Sequence, residues 1–260
     1  GKTLKNKAKR YYTVDNSIYE NRKSAGNVID KEAGILNRGN LTRLKNFLNR
    51  AAQGERLTVG FIGGSITQGF AATAPDKCYA ARTVAWLRKV FPNTEFDYVN
   101  AGIGATNSQF GAARVQEDLL CRLPDLVMVE FSVNDHCTPH DMETYEGLIR
   151  QIYGSRSCPA MVLLHSVYYD TGKSAAYYHA QIGRHYDLPC ISMQNSIYPA
   201  VAAGRLPAEK ITADFLHPND LGHEFMVAVI TNFLEKVIHD KTEEQQEIFP
   251  APLTENAYEH

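Results

Sequence analysis

No stretch of this sequence sustains the roughly 20 apolar residues that a membrane-crossing helix needs, and no signal peptide is visible at its start. A cytoplasmic location is the expectation, with an export signal upstream of Gly1 left open. Cysteine is sparse: Cys78, Cys121, Cys137, Cys158 and Cys190 are odd in number, widely scattered and never in a Cys-x-x-Cys pair. That spacing suggests neither a disulfide framework nor a thiolate zinc site, and leaves reduced, mostly buried thiols. Charge of one sign is lacking too. A net charge of -2 and a pI near 6.5 give no electrostatic ground for nucleic acid or an anionic membrane as partner.

What is present is a chain of 260 residues, 44% hydrophobic and 22% charged, which suits one large α/β domain with a substantial core. Residues 1–40 are polar without clear period and read as an arm packed on a domain spanning 41–240. Residues 241–260 form an acidic tail; at both ends, Lys2 to Arg10 and Asp240 to Glu259, the charged stretches read as solvated rather than as binding sites. Asn40 or Thr42 is placed to cap a helix through Leu41, Leu44, Phe47 and Leu48 that Gly54 stops. Strands are predicted at 57–62, 96–100, 126–131, 160–167 and 188–191. Helices are predicted at 79–90, 108–120, 143–153, 174–186, 193–203 and 219–238. Strands alternating with helices give a three-layer α/β/α sandwich around a flavodoxin-like, five-stranded parallel sheet of order 2-1-3-4-5. Ligands bind such sheets at the carboxyl ends of the strands. The loops carrying Ser65, Gly104 and Asn134 each follow a predicted strand, so they should meet on one edge.

The apolar run Leu57 to Ile62 ends abruptly in Gly63-Gly64-Ser65-Ile66-Thr67-Gln68-Gly69, so a buried strand delivers a serine to a loop. Ser65 is either a helix cap or a nucleophile. The run is not a phosphate-binding loop, because no Gly-Lys-Ser/Thr follows, nor a Gly-x-Ser-x-Gly elbow, because Thr67 stands at the last glycine. A serine nucleophile needs a base, and His217 in Asp214-Phe215-Leu216-His217-Pro218 supplies an imidazole of suitable pKa. Asp214, three residues earlier on a turn restricted by Pro218, can curl back to hold the ring in one tautomer. The bland alternative is surface turn chemistry. Asp220 and His223 share the spacing, but lie inside a predicted helix whose surface they would leave.

Gly64-Ser65-Ile66-Thr67, Asn100-Ala101-Gly102-Ile103-Gly104, Val133-Asn134-Asp135 and Asp214-x-x-His217-Pro218, in this order, resemble the blocks of the SGNH hydrolases, also called the GDSL esterase/lipase family, over about residues 57–238. The Gly-Gly-Ser-Ile-Thr-Gln-Gly form further resembles bacterial members grouped with carbohydrate acetylesterases. The resemblance implies Ser65 as nucleophile, His217 as base and acid, and Asp214 as its orienter. It also implies an oxyanion hole from the Ser65 N–H, the N–H of Gly104 or Ala105, and the side-chain amide of Asn134. Neutral donors fixed around a developing oxyanion need little reorganisation. Asn134 read by itself is equally an Asx-turn residue at a strand end. Three departures from the family pattern stand out: Gly64 replaces the usual aspartate, the second-block glycine falls on Gly104 or on Ala105, and Val133 stands where glycine is usual.

Gln68, Asp135, His136 and Tyr168 are candidate substrate contacts. Tyr168, Tyr169, Tyr177 and Tyr178 would form a sugar-stacking wall or be ordinary core and surface aromatics. His136, Cys137, His140 and Asp141 lack a standard metal-ligand spacing, and His165, His179 and His185 read as packing or surface residues. No metal or organic cofactor is implied. The expected function is a serine esterase acting on small acyl esters. An acetylated oligosaccharide is the substrate class that the resemblance implies. The rivals are a lysophospholipase or thioesterase with the same residues, an acyltransferase, a non-catalytic carbohydrate-binding domain and a flavodoxin-like nucleotide binder.

Overall fold

The computed structural model describes residues 28–243 and 245–257. Six strands form one sheet: β1 (Ile35–Asn37), β2 (Leu57–Gly63), β3 (Phe96–Gly102), β4 (Leu126–Glu130), β5 (Ala160–His165) and β6 (Cys190–Ser192), in the order β1-β6-β5-β4-β2-β3. From β3 to β6 all neighbours are parallel, so the five anticipated strands lie in the order 2-1-3-4-5. The sixth, β1, was not anticipated. It comes from the polar arm and pairs antiparallel with β6, Ile35 opposite Ile191 and Asn37 opposite Cys190. Three half-buried residues are too few to display an alternating pattern, yet they cover an edge that would otherwise stand open. The part of the arm before residue 28, with its basic run, lies outside the described residues.

Helices α1 (Thr42–Ala52), α2 (Ser65–Gln68), α3 (Tyr79–Val90), α4 (Ser108–Asp118), α5 (Pro139–Tyr153), α6 (Ala176–His185), α7 (Met193–Ser196), α8 (Tyr198–Ala202) and α9 (Asp220–His239) complete the fold. Successive residues of β4 explain its unbroken apolar run. Leu126 and Met128 enter a core with Phe47 of α1, Leu87 of α3 and Phe233 of α9. Val127 and Val129 enter the opposite core with Val115 of α4, Ile149 of α5 and Ile182 of α6. A strand covered on both faces has no polar side to show. Helix α5 begins earlier than expected because Thr138 and Asp141 form a capping box with Pro139 behind the cap.

The C-terminal segment, read from its charge as a solvated tail, is mostly exposed among its described residues and is laid along α1 and α5. Thr42 and Gln245 exchange hydrogen bonds of 3.0 Å, Glu247 pairs with Arg43 at 2.7 Å, and Phe249 stacks on Tyr153 at 4.9 Å. Among the described residues, no helix is long and apolar enough to cross a membrane.

Candidate active site

Strand β2 runs straight into the serine turn, and residues 61–67 are all buried, Ser65 retaining 8% exposure. The second block holds this turn from beside it. A Cβ at Gly102 would lie 2.2 Å from the backbone nitrogen of Gln68, so the end of β3 packs directly on the backbone of α2. The Asn100 amide donates to the Thr67 carbonyl at 2.8 Å and its oxygen accepts from Gly102 N–H at 2.9 Å. Asn100 therefore ties β3 and α2 together, and the Ile103 N–H donates to the Gly63 carbonyl at 3.1 Å.

The turn before α9 brings the carboxylate and imidazole to Ser65. A bridge between Thr212 and Pro218 closes its base, and Phe215 sits in the left-handed region at φ 63°, its carbonyl accepting from Tyr169 N–H at 2.7 Å. Asp214 Oδ1 then accepts from the N–H of His217 at 2.7 Å, from Leu216 N–H at 3.0 Å and from the Thr212 hydroxyl at 3.0 Å. Oδ2 meets His217 Nδ1 at 2.5 Å, and His217 Nε2 meets Ser65 Oγ at 2.8 Å. Burial works to raise the pKa of Asp214, but the hydrogen bonds from His217, Leu216 and Thr212 outweigh it and hold the carboxyl well below the usual range. An ionised Asp214 accepts the Nδ1 proton, which leaves the Nε2 lone pair for the Ser65 hydroxyl.

The rival pair does not meet. His223 is fully buried rather than on the helix surface, with Nδ1 accepting from Tyr79 N–H at 3.2 Å, and burial pushes its pKa down to about 4. Asp220 turns away to Thr73 and Lys77, the latter at 2.8 Å. The expectation fails for His223 because this face of α9 packs against α3.

Asn134 and Gly104, two of the residues expected to donate to an oxyanion, lie close to the serine turn. A Cβ at Gly64 would stand 2.3 Å from Asn134 Oδ1, so the missing side chain is the space in which the Asn134 amide lies. Gly104 is adjacent as well: a Cβ there would be 3.8 Å from the Ser65 Cβ. Its N–H donates to Gln68 Oε1 at 3.0 Å, so the exposed amide of Gln68 holds that donor. Ala105 takes a left-handed φ of 58° in the same loop. Val133 is buried in the core, which accommodates the bulkier residue.

Among the candidate substrate contacts, Asp135 is corrected. It is 4% exposed and engaged on both oxygens, by Ser108 N–H at 2.9 Å and His179 Nε2 at 2.8 Å, so it has no face toward a ligand. His136 is exposed, with its N–H on Asp141 Oδ2 at 3.2 Å. The half-buried Tyr168 donates to the Val133 carbonyl at 3.4 Å. Tyr169 is buried in the core, whereas Tyr177 and Tyr178 contact each other edge-on, so the four do not share one wall. Phe70 was not singled out from sequence. It is 57% exposed, and its ring lies 4.5 Å from that of His217. Only folding brings those two segments together. Among the described residues no group of three or more His, Cys, Asp or Glu is placed to hold a metal ion.

A hydroxyl, an imidazole and a carboxylate in one hydrogen-bonded line, at the carboxyl edge of a flavodoxin-like sheet, is the arrangement of serine hydrolases. The GDSL-like Lipase/Acylhydrolase family matches residues 61–225, and the chain belongs to that family. Among solved structures it is similar to a two-domain esterase (CEX) active on acetylated mannans, with 52% identity and a TM-score of 0.88 over 89% of this chain and 63% of that one. The same esterase co-crystallized with mannopentaose gives 53% identity and a TM-score of 0.85, over 89% of this chain and 62% of that one. The chain thus spans less than two thirds of the length of that protein. An acetylxylan esterase, Axe2 from Geobacillus stearothermophilus, shares the fold at 19% identity and a TM-score of 0.55, over 68% of this chain and 94% of that one. No curated protein matches the sequence.

Proposed function

We propose that this chain is a serine esterase that removes acetyl groups from a carbohydrate, mannan before xylan. The observation that carries the reading is the unbroken hydrogen-bonded line from Ser65 Oγ through His217 to Asp214. As Ser65 Oγ attacks the ester carbonyl, its proton passes to Nε2, and ionised Asp214 stabilises the imidazolium. The carbonyl oxygen, now negative, accepts from the Ser65 N–H, the Gly104 N–H once Gln68 has left it, and the Asn134 amide. Collapse of this intermediate expels the sugar alkoxide, which takes the proton from His217. Water then attacks the acetyl-enzyme with His217 as base, and acetate leaves. Family membership supports ester chemistry. The mannan preference follows the esterase that is 52% identical and active on acetylated mannans.

Hydrolysis of 4-nitrophenyl acetate, butyrate and octanoate, with acetate release from acetylated mannan and xylan, tests this. The acetyl ester should be the best of the three, mannan should release more acetate than xylan, and Ser65→Ala should lose at least about a thousandfold in kcat. Activity rising toward octanoate would move the lysophospholipase or thioesterase reading ahead. Full activity in Ser65→Ala would remove Ser65 from the chemistry.

A further inference from the structure

Two of the three oxyanion donors of the proposed reaction come from loops other than the serine turn. Gly104 lies between β3 and α4, and Asn134 in the turn after β4. Nothing covalent fixes their separation, yet such donors must be held to within about 0.5 Å to be useful. One side chain touches both loops. Asp135 directly follows Asn134, and both residues' N–H groups donate to the Phe131 carbonyl at 3.0 Å, which makes the turn tight. Its Oδ1 accepts from the N–H of Ser108, the first residue of α4 after the Gly104 loop. Its Oδ2 is held by His179 of α6, whose ring lies flat on that of Tyr145 at 3.5 Å with an interplanar angle of 1°. The Asp135 side chain is fully buried and His179 is 1% exposed. Stability alone is weak ground for burying a carboxylate with an imidazole, since well-packed apolar residues often serve a core as well or better.

We infer that Asp135 and His179 are a positioning pair for the oxyanion hole: Asp135 sets the distance between the Asn134 turn and the Gly104 loop, and His179 orients its carboxylate. The inference rests on the esterase reading and on Asn134 as a donor. Tyr145 confines the ring from one face, so the carboxylate cannot swing with a free imidazole.

The test is kcat and KM on 4-nitrophenyl acetate for Asp135→Ala, Asp135→Asn, His179→Ala and His179→Gln, alone and combined with Asn134→Ala, with thermal melts of each. Asp135→Ala and His179→Ala should lower kcat by about ten- to a hundredfold, as small misplacements of catalytic groups do, with KM changed less than about threefold. His179→Gln, which can still donate to Asp135, should recover most of the loss, as should Asp135→Asn, which keeps an oxygen for Ser108. In the Asn134→Ala background, Asp135→Ala should cost less than about threefold further, because the donor it positions is gone. A purely structural role would give losses that multiply, and that result overturns the inference. So does unchanged kcat in His179→Ala beside a large loss in Asn134→Ala. Wild-type kcat in Asn134→Ala would overturn the oxyanion reading itself, and the inference with it. Should Asp135→Ala fail to fold, His179→Ala and His179→Gln carry the same comparison.

Discussion

A hydrogen atom at the Cα of Gly64 decides where Asn134 lies. The atom that a methyl group would strike is the end of a flexible side chain, not backbone, at 2.3 Å. Gly64→Ala should therefore fold with a melting temperature within a few degrees of the parent, yet push the Asn134 amide off its position. Loss of one oxyanion donor typically costs about a hundred- to a thousandfold in kcat, and a displaced donor should approach the lower figure. Unchanged kcat on 4-nitrophenyl acetate would mean that Asn134 acts elsewhere. Ser65, His217 and Asp214 could be named from sequence because each reacting type stands in a local pattern. The Gln68 amide on Gly104 and the Phe70 ring on His217 could not, since those contacts exist only between segments that folding brings together. Asp135 was misread for the same reason. It stood among the candidate substrate contacts, and only the packing of α4 and α6 shows that its oxygens are already taken.

At the scale of elements, acidic composition concealed a strap. Glu146 of α5 accepts from the N–H groups of Leu253 and Thr254 at 2.6 and 2.7 Å and from the Tyr186 hydroxyl at 2.5 Å. Arg150 lies over the Phe249 ring at 4.4 Å. A charge count sees the carboxylates of this segment but not its backbone donors or its aromatic anchor. Glu146→Ala leaves four donors without their acceptor, the Leu253 and Thr254 N–H groups and the Tyr186 and Thr254 hydroxyls, and should destabilise the fold by about 2–4 kcal/mol. The C-terminal segment should become sensitive to limited proteolysis, while kcat/KM stays within about twofold. Equal protease resistance in variant and parent would show that the strap is held by other contacts. The helix starts were legible to different degrees: Thr138-Pro139-His140-Asp141 carries the capping-box spacing, yet the helix was expected only from residue 143.

For the whole molecule, the order of the parallel strands was readable because right-handed crossovers leave few arrangements for alternating strands and helices. The pairing of β1 was not, because three residues from a polar arm carry no period. The same two-layered core encloses groups that tie stability to pH. His165 is buried with neither ring nitrogen hydrogen-bonded, and burial pushes its pKa down to about 3. His223 is pushed down to about 4, also by burial. In the unfolded chain a histidine titrates near 6.5. Below that value the unfolded state takes up protons that the folded state refuses, so these two histidines cost stability as pH falls from about 6.5 to 4, and cost nothing above about 7. Glu130 acts in the opposite sense, since burial raises its pKa and favours the folded state toward low pH. Asp214, Asp220 and Asp240, held low by their hydrogen bonds, add their loss only below about 4. The histidine contribution is therefore read as a difference between variants. His165→Leu, which replaces two unpartnered nitrogens with apolar volume, should flatten the dependence of urea stability on pH between 6.5 and 4 by up to about 3 kcal/mol. Above pH 7 it should leave stability equal to or higher than the parent's. Parallel pH curves for parent and variant would mean that His165 gains its proton in the folded state as readily as in the unfolded chain.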